Sequence, residues 1–315
     1  MSKVWRATPY DAGRKEEWDR LVETSRAPHF LFFRDYMEYH ADRFEDASLL
    51  LYEGKRLTAV LPANRDGDVL RSHGGLTFGG FVTDRRMTSH GMLAAFDAVV
   101  TECRDNGISR LIYAPVPHIY HRVPAEEDLY ALFRLRARLS RRDLSSTIDL
   151  SHRLPPTKGR RSSTKRAVTG AIRVERSNGF TQFVELQSAV LDERYGTAPT
   201  HTGTELEALA QRFPGFIKLY VAMESSELLA GVVVYETETV AHTQYIAASR
   251  KGRERGAVDA IVVELLERVY RNKRYFDFGI STELDGTYLN PGLVRNKESY
   301  GARGVAYDRY ELDLD

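Results

Sequence analysis

The sequence predicts an α/β (α+β) protein of two tandem domains, each a mixed, mostly antiparallel sheet flanked by helices. Its length of 315 residues exceeds the usual size of a single hydrophobic core. Its two halves repeat one order of strands and helices. Between them, eleven basic residues stand from Arg134 to Arg166 against only Asp143 and Asp149. We therefore place the boundary near residue 150, which gives domains at 1–150 and 151–315.

The first half contains a strand pair followed by a helix and a strand. The segments SLLLYEG and RLTAVLPA form a hairpin about Gly54. A helix follows, with apolar residues at helical spacing from Leu93 to Cys103, and Asn106-Gly107 ends it. The segment SRLIYAPV is the closing strand. This order predicts antiparallel strands and then a parallel crossover.

The second half repeats this order after two additional helices. These helices are TQFVELQSAVLDERYG and TELEALAQRF. The strands FIKLYVAM and LLAGVVVYE pair across Ser225-Ser226, and TVAHTQYIAAS follows them. A helix with an apolar face from Val258 to Val269 comes next, and RYFDFGI is the last strand. The repeated order indicates an internal duplication.

Composition excludes several classes of function. The formal net charge is +1, which gives no overall field to attract DNA or a membrane surface. Cys103 is the only cysteine, so the chain has no intrachain disulfide and no multi-cysteine metal site. No long uncharged apolar stretch is present, so we expect no signal peptide, no integral membrane segment and a cytoplasmic location.

A basic, glycine-containing turn precedes the helix of the second half. Backbone N–H groups and positive charge at a helix start bind phosphates well. The candidates for holding a phosphate-bearing donor are Arg250, Gly252, Arg253, Arg255, Gly256 and Ala257. The alternative interpretation is a solvated basic helix start. The block from Lys158 to Arg166 follows Pro155-Pro156 and contains Gly159, and it is predicted to be a charged, solvated loop. Contact with tRNA or with a nucleotide diphosphate is the alternative.

Polar residues on the neighbouring strands are candidates for catalysis. His242 lies on the strand that leads to the turn, and imidazole is suited to taking a proton from an ammonium group. Asp277 and Glu283 bracket the strand end in FDFGISTE and could act as base or orient an amine. A hydrogen-bonded structural histidine and a carboxylate that caps backbone groups are the alternatives.

The order of two helices, three antiparallel strands, a phosphate-binding turn, a helix and a strand resembles the GNAT acyltransferase superfamily. The doubled arrangement resembles FemAB-type transferases, most of all those associated with cell-surface polysaccharide loci. The segments that carry the resemblance are SHGGLTFGG (72–80), YAPVPHIYHRVPAEEDLYALF (113–133), RRDLSSTIDL (141–150), THTGTELEALAQRFPGFIKLYVA, HTQYIAAS, YFDFGISTE and LNPGLVRNKESYGARGVAYDRYEL.

The resemblance implies transfer of an acyl group to an amine. GNAT enzymes take the acyl group from an acyl-coenzyme A, whereas peptidoglycan-branching FemAB enzymes take it from aminoacyl-tRNA. Lys297 stands in a segment similar to the lysine-x-x-aromatic-Gly segment of FemAB proteins, which implies a lysine near the reacting centre. The candidate substrate contacts are His118, Tyr120, His121, His201, Gln244, Tyr245, Asn290 and Tyr300. No His, Asp or Glu spacing resembles a zinc site, so we predict no metal.

Three functions remain open on the sequence. The leading one is an N-acyltransferase that uses an acyl-coenzyme A to acylate an amine on an amino sugar or a cell-surface glycan precursor, in a cleft between the domains lined by His118, His201, His242 and Glu283. The second uses aminoacyl-tRNA as donor, with the basic segment 134–166 as its contact. The third is a catalytically inactive binding protein of the same fold. It is motivated by the partial match of 253–257 to the GNAT phosphate signature, Gln/Arg-x-x-Gly-x-Gly/Ala.

Overall fold

The computed structural model describes residues 4–169 and 172–314. The chain forms two compact units that are not contiguous in sequence. The first comprises the chain to Leu144 together with 282–288 and 306–315, and the second comprises 145–281 and 289–305. The predicted halves divide near residue 150, whereas these units divide after Leu144 and the chain later returns to the first unit. The return has a physical cause, because the last strand pairs with a strand of the first unit.

The first unit combines two groups of paired strands with four helices and short 3₁₀ turns. The strands of the first 144 residues are β1 (Trp5–Pro9), β2 (Glu45–Asp46), β3 (Leu49–Glu53), β4 (Arg56–Leu61), β5 (Asn64–Asp66), β6 (Val69–Arg71), β7 (Val82–Thr83), β8 (Arg110–Tyr113) and β9 (Arg138–Asp149), which continues into the second unit. The helices are α1 (Lys15–Thr24), α2 (Arg34–Met37), α3 (Ser89–Asp105) and α4 (Glu127–Arg134).

The predicted elements of the first half are present. The strands β3 and β4 pair antiparallel about Gly54, and β6 pairs with β8 in parallel. The helix α3 buries Met92, Phe96 and Cys103, so the cysteine is a core side chain. Thr88 caps the start of α3, because its hydroxyl accepts a hydrogen bond from a backbone N–H of the first turn.

The second unit is built on six strands in the order β10-β11-β12-β13-β14-β9. Its remaining elements, with those that follow to the end of the chain, are α5 (Lys158–Thr169), β10 (Ile172–Ser177), α6 (Phe180–Tyr195), α7 (Gly203–Arg212), β11 (Ile217–Glu224), β12 (Glu227–Glu236), β13 (Val240–Ala248), α8 (Arg250–Arg255), α9 (Ala257–Glu264), a π-helical turn (Leu265–Val269), β14 (Tyr275–Ile280), β15 (Thr282–Glu283), β16 (Tyr288–Leu289), α10 (Pro291–Glu298) and β17 (Arg303–Asp313).

The strand pairing of this unit confirms the predicted fold class. The strands β11, β12 and β13 pair antiparallel, and β13 pairs with β14 in parallel. The parallel pairing extends only from Val240 with Tyr275 to His242 with Asp277. On the other side β14 pairs antiparallel with the end of β9. The two strands β13 and β14 therefore part immediately after His242 and Asp277.

Two predictions of local structure are wrong. The block from Lys158 to Arg166 is not a loop but part of the helix α5, whose start is supported by bonds from the N–H groups of Arg160 and Arg161 to Thr157. The basic turn before α9 is largely the short helix α8, which ends at Gly256 in the left-handed conformation. Pro155-Pro156 precedes α5 and Gly256 ends α8, but Gly159 lies inside α5 and does not break it.

A membrane-crossing helix does not occur in the part of the chain that the structure describes.

Candidate functional site

A histidine and a buried aspartate form the centre of the site in the second unit. His242 Nδ1 lies 2.7 Å from Asp277 Oδ2, and the Asp277 side chain is fully buried. Both residues come from the last parallel pair of β13 and β14, where the strands part. The imidazole therefore stands at the opening between the strands. Its Nε2 has no hydrogen-bond partner among the described residues.

Two hydroxyl groups hold the same aspartate from the neighbouring strand. Ser145 Oγ and Thr147 Oγ1 each donate to Asp277 Oδ1 at 2.6 Å. Burial alone would raise the pKa of Asp277, but the hydrogen bonds from the imidazole and the hydroxyls, with the imidazole charge, hold it below its usual value. Asp277 is therefore a carboxylate that accepts from His242 Nδ1–H. This arrangement places the imidazole lone pair on Nε2.

Lys297 lies beside this pair. Its ammonium group, on α10, donates to the backbone oxygens of Gly279 at 2.9 Å and Ile280 at 2.6 Å. Burial lowers the pKa of Lys297 to about 8, and the negative charge of Asp277 opposes that shift. The lysine thereby ties α10 to the end of β14. The ammonium has three N–H groups, and the two carbonyl oxygens use two of them.

The backbone next to the pair leaves little space. Gly279 has a φ of 75°, and a methyl group at its Cα would lie 3.3 Å from His242 Cε1. The hydroxyl groups of Thr243 and Ser281, which flank this region, are buried without a hydrogen-bond partner among the described residues. The site therefore holds a positioned imidazole next to a buried ammonium.

The predicted phosphate-binding residues are engaged within the chain. Arg250 pairs with Glu254, Arg255 pairs with Glu224, and Arg253 donates to the backbone oxygen of Ala248. Two further predicted positions, Gly252 and Ala257, are buried. A side chain at Gly252 would collide with the carbonyl oxygen of Leu229 at 2.1 Å.

The start of α9 is covered by α5. Arg160 and Ser163 of α5 both bond to Asp259 in the first turn of α9, and Tyr300 bonds to the same carboxylate. A methyl group at Gly256 would lie 3.2 Å from the Cβ of Ala167. In this arrangement the residues present do not fit a donor's phosphates at the helix start. The role predicted for 250–257 stays a prediction.

The predicted substrate contacts fall in different places. His201 and Tyr245 are joined by a 2.8 Å hydrogen bond, and Gln244 is half-buried on β13. Burial raises the pKa of Tyr245. Asn290 caps α10 through its side-chain oxygen, and Tyr300 stacks on Phe278. The structure gives each of these tyrosine, histidine and asparagine side chains a partner within the second unit.

The remaining candidates belong to the first unit. Tyr120 bonds to Tyr307 and His121 to the backbone oxygen of Val116, and burial lowers the pKa of His121 to about 4. His118 and Glu283 are exposed. Among the described residues, no group of three His, Cys, Asp or Glu side chains is placed to hold a metal ion.

Sequence reasoning missed Ser145 and Thr147. Both stand in RRDLSSTIDL, where three consecutive hydroxyl residues lie on one predicted strand, so the first and third share a face. That run of hydroxyl residues is the signal that could have identified them. It does not show which strand lies beside it, and only the pairing of β9 with β14 brings the hydroxyls to Asp277.

Comparison with known proteins supports the resemblance seen in the sequence. The family model described as an acetyltransferase (GNAT) domain matches residues 157–288. No curated protein sequence matches the chain. Among solved structures, FemX superposes with a TM-score of 0.70 at 12% identity, covering 98% of this chain and 97% of that one.

Two further structures share the fold. The C-terminal domain of a protein described as a lysylphosphatidylglycerol synthetase, from Agrobacterium fabrum, has a TM-score of 0.63 at 11% identity and covers 96% and 92% of the two chains. A tandem GNAT protein from the clavulanic acid biosynthesis pathway has a TM-score of 0.53 at 13% identity, with 99% of each chain covered. These comparisons agree with the predicted resemblance: residues 157–288 match the GNAT domain model, and the whole chain shares the fold of FemX and of a tandem GNAT protein.

Proposed function

We propose that this chain is a FemAB-like member of the GNAT superfamily and an N-acyltransferase that uses His242 as the base to acylate an amine. The observation that carries the proposal is the 2.7 Å contact between His242 Nδ1 and the buried carboxylate of Asp277. A carboxylate in this position fixes the tautomer and the orientation of the ring, and it stabilises the imidazolium that forms when Nε2 takes a proton.

The proposed step transfers the acyl group from the donor to the acceptor amine. The acceptor amine attacks the carbonyl carbon of the activated acyl group, and a C–N bond forms. The nitrogen loses its proton to His242 Nε2. The bond from the carbonyl carbon to the donor's sulfur or oxygen then breaks, and the proton passes from the imidazolium to that leaving group. The imidazole returns to its starting state, so no oxidant or further reactant is required.

Lys297 is proposed to stabilise the negative charge that develops on the carbonyl oxygen. Two of its N–H groups hold Gly279 and Ile280. The third would be directed to the oxyanion, where a fixed positive charge in a buried site lowers the barrier.

An acyl-coenzyme A is the donor that we propose first, because GNAT domains typically use it and the family model covers His242 and Asp277. The proposed acceptor is the amine of an amino sugar or a cell-surface glycan precursor. With acyl-coenzyme A as the donor, the proposed location of the reaction is the cytoplasm. The α5 helix covers the start of α9, so the donor's phosphates would have to bind elsewhere or displace that helix.

One observation favours aminoacyl-tRNA as a second candidate donor. The α5 helix that covers the start of α9 exposes Lys158, Arg161 and Lys165 to solvent. Such a basic surface suits a nucleic-acid backbone. The similarity to FemX supports the same candidate. In this case transfer should be abolished by ribonuclease and should weaken steeply with salt.

The test is turnover of the purified protein with each donor and glucosamine as the amine. Acetyl-coenzyme A is followed by release of the thiol and aminoacyl-tRNA by transfer of labelled amino acid. His242→Asn is expected to reduce turnover by about 100-fold or more, since a general base contributes about 10²–10⁴-fold. His152→Asn is the matched control, because the His152 side chain is 85% exposed in the same unit.

The two donors give separable results. Turnover of His242→Asn within about threefold of the parent protein would remove this base from the mechanism. Turnover with only one of the two donors identifies that molecule as the acyl donor. Absence of turnover and of binding with both donors would leave the inactive binding protein as the remaining interpretation.

A further inference from the structure

The first unit contains a cavity lined by arginines that the proposed transfer step does not use. Its volume is about 450 Å³, which is within the range of small-molecule sites. Four arginines line it against two carboxylates, so its lining carries excess positive charge: Arg43, Arg65, Arg71, Arg309, Glu45 and Asp66.

Strand register places two of these arginines on one face of the paired strands. Arg71 of β6 lies beside Ile112 of β8, and Ile112 is paired with Glu311 of β17. Because alternate residues of a strand share a face, Arg309 lies on the same face as Glu311 and Arg71. Asn64 of β5 is paired with Arg71 and completes the row. The cavity therefore rests on a regular sheet surface rather than on a mobile loop.

Arg309 lacks a partner in this row. Arg71 pairs with Asp66, and Arg65 donates to the backbone oxygen of Gly67. The Arg309 guanidinium has no hydrogen bond or ion pair with any described residue. Burial, and then the positive charges of Arg141 and Arg71, lower the pKa of Arg309, and the carboxylates of Asp143 and Asp285 oppose that shift in part. Both carboxylates already pair with Arg141, so a bound anion would give the half-buried Arg309 guanidinium a partner of its own.

We propose that this cavity binds a phosphate group of a small phosphorylated molecule, with Arg309 and Arg71 as its main ligands. Guanidinium groups bind phosphate oxygens in pairs of parallel hydrogen bonds, and a doubly charged phosphate satisfies two of them at once. The Asn64 side-chain oxygen accepts from the N–H of Gly74 at 2.6 Å, which holds the turn that forms the cavity wall. A phosphosugar and a nucleotide share this chemistry, and binding data distinguish them.

The experiment is calorimetric titration of the full chain, without any acyl donor, using inorganic pyrophosphate, glucosamine 6-phosphate, ADP and glucosamine. We expect the phosphorylated probes to bind and glucosamine not to bind. Tighter binding of glucosamine 6-phosphate than of ADP identifies a phosphosugar site, and the reverse order identifies a nucleotide site. Because no transfer step is measured, failure of the proposed acyltransferase activity does not affect this result.

Substitutions assign the binding to this cavity. Arg309→Gln is expected to weaken pyrophosphate binding by at least tenfold. Arg309→Lys keeps the positive charge but cannot form the pair of parallel hydrogen bonds, so it should weaken binding by a smaller factor. Arg85→Gln, an exposed arginine of the same unit, is the matched control and should not change binding. Binding of pyrophosphate by Arg309→Gln within twofold of the parent protein, or no binding of any phosphorylated probe at millimolar concentration, would overturn the proposal. If Arg309→Gln fails to fold, Arg309→Lys is compared with Arg85→Gln. Weaker pyrophosphate binding by Arg309→Lys alone supports the proposal, and equal binding by the two variants overturns it.

Discussion

At the scale of single residues, Asp277 has the most partners in the site. It accepts hydrogen bonds from His242, Ser145 and Thr147. An asparagine at this position would have the same shape as the aspartate but no negative charge. An asparagine presents an N–H or an oxygen to Nδ1 and no longer stabilises an imidazolium. The carboxylate should therefore matter for turnover rather than for binding of the donor.

Asp277→Asn is expected to lower kcat by about 10²–10⁴-fold and to change KM for the donor by less than about threefold. Steady-state kinetics with the donor that is turned over measures both constants. Thr147→Ala is the companion variant: it removes one of several hydrogen bonds to the carboxylate, so its loss of kcat should be much smaller. Equal losses in the two variants would show that Asp277 acts through packing alone.

Lys297 makes stability depend on pH in the alkaline range. Its pKa in the folded protein is lowered from 10.5 to about 8 by burial. Between these values the unfolded chain binds more protons than the folded protein, so folding becomes more favourable as pH rises. As pH falls through about 8 this contribution is lost, because the folded protein must then hold a buried ammonium.

We therefore expect the difference in unfolding free energy between the parent protein and Lys297→Met to increase with pH from about 8 to about 10.5. Denaturant unfolding at several pH values measures it, and the subtraction removes the other titrating groups. Lys251→Met, which alters an exposed lysine, is the control and should show no such rise. A flat difference across this range would mean that Lys297 titrates as in the unfolded chain.

At the scale of elements, regular apolar spacing in the sequence predicts helices, whereas contacts between one element and another are not predicted. The apolar spacing from Val258 onward predicts a helix, and α9 with its π-helical turn occupies that segment. The charged segment from Lys158 has little apolar periodicity, and its helix is stabilised by contacts with α9. His242 and Asp277 are both predicted as candidates, but their pairing requires the parallel register of β13 and β14.

The contact between α5 and α9 depends mainly on Arg160. Its guanidinium pairs with Asp259, bonds to Ser299 and Asn296, and lies 4.0 Å from the centre of the Tyr300 ring. The side chains of Arg160 and Asp259 are 15% and 8% exposed. Removal of one member leaves the other charge buried without its partner, which is strongly unfavourable.

Arg160→Gln is expected to destabilise the second unit by about 3 kcal/mol, whereas Arg161→Gln at the next, exposed position should change stability by less than about 0.5 kcal/mol. Thermal and denaturant unfolding of both variants measures the effect. Arg160→Gln should also increase hydrogen exchange at the start of α9, because α5 would leave it. Equal stability of the two variants would show that α5 is not held by this network.

At the scale of the whole molecule, neither unit is one contiguous stretch of the chain. The segment 306–315 belongs to the first unit although the entire second unit precedes it. Each half carries its own periodic pattern, so the sequence predicts two contiguous domains. A strand that pairs across most of the chain length leaves no periodic signal in its own residues beyond the alternation of a strand. The return of the chain is therefore visible only in the structure.

The pairing of β17 with β8 implies that the first 150 residues do not form a complete folding unit. The pairs run from Tyr310 with Tyr113 to Asp313 with Arg110, and Leu312 and Leu314 are buried in the core of the first unit. A fragment that ends at residue 150 would expose the edge of β8 and the apolar surface that these leucines cover.

The fragment 1–150 is therefore expected to unfold at a lower temperature than the whole chain, and a peptide of residues 303–314 added in excess should raise its melting temperature. The stabilisation should depend on peptide concentration, as binding to the folded form requires. A peptide with Leu312→Asp serves as the control, since a charge at that core position should prevent docking. If the peptide leaves the melting temperature unchanged while the fragment is folded, the first unit does not need β17, and its edge is satisfied within the first 150 residues.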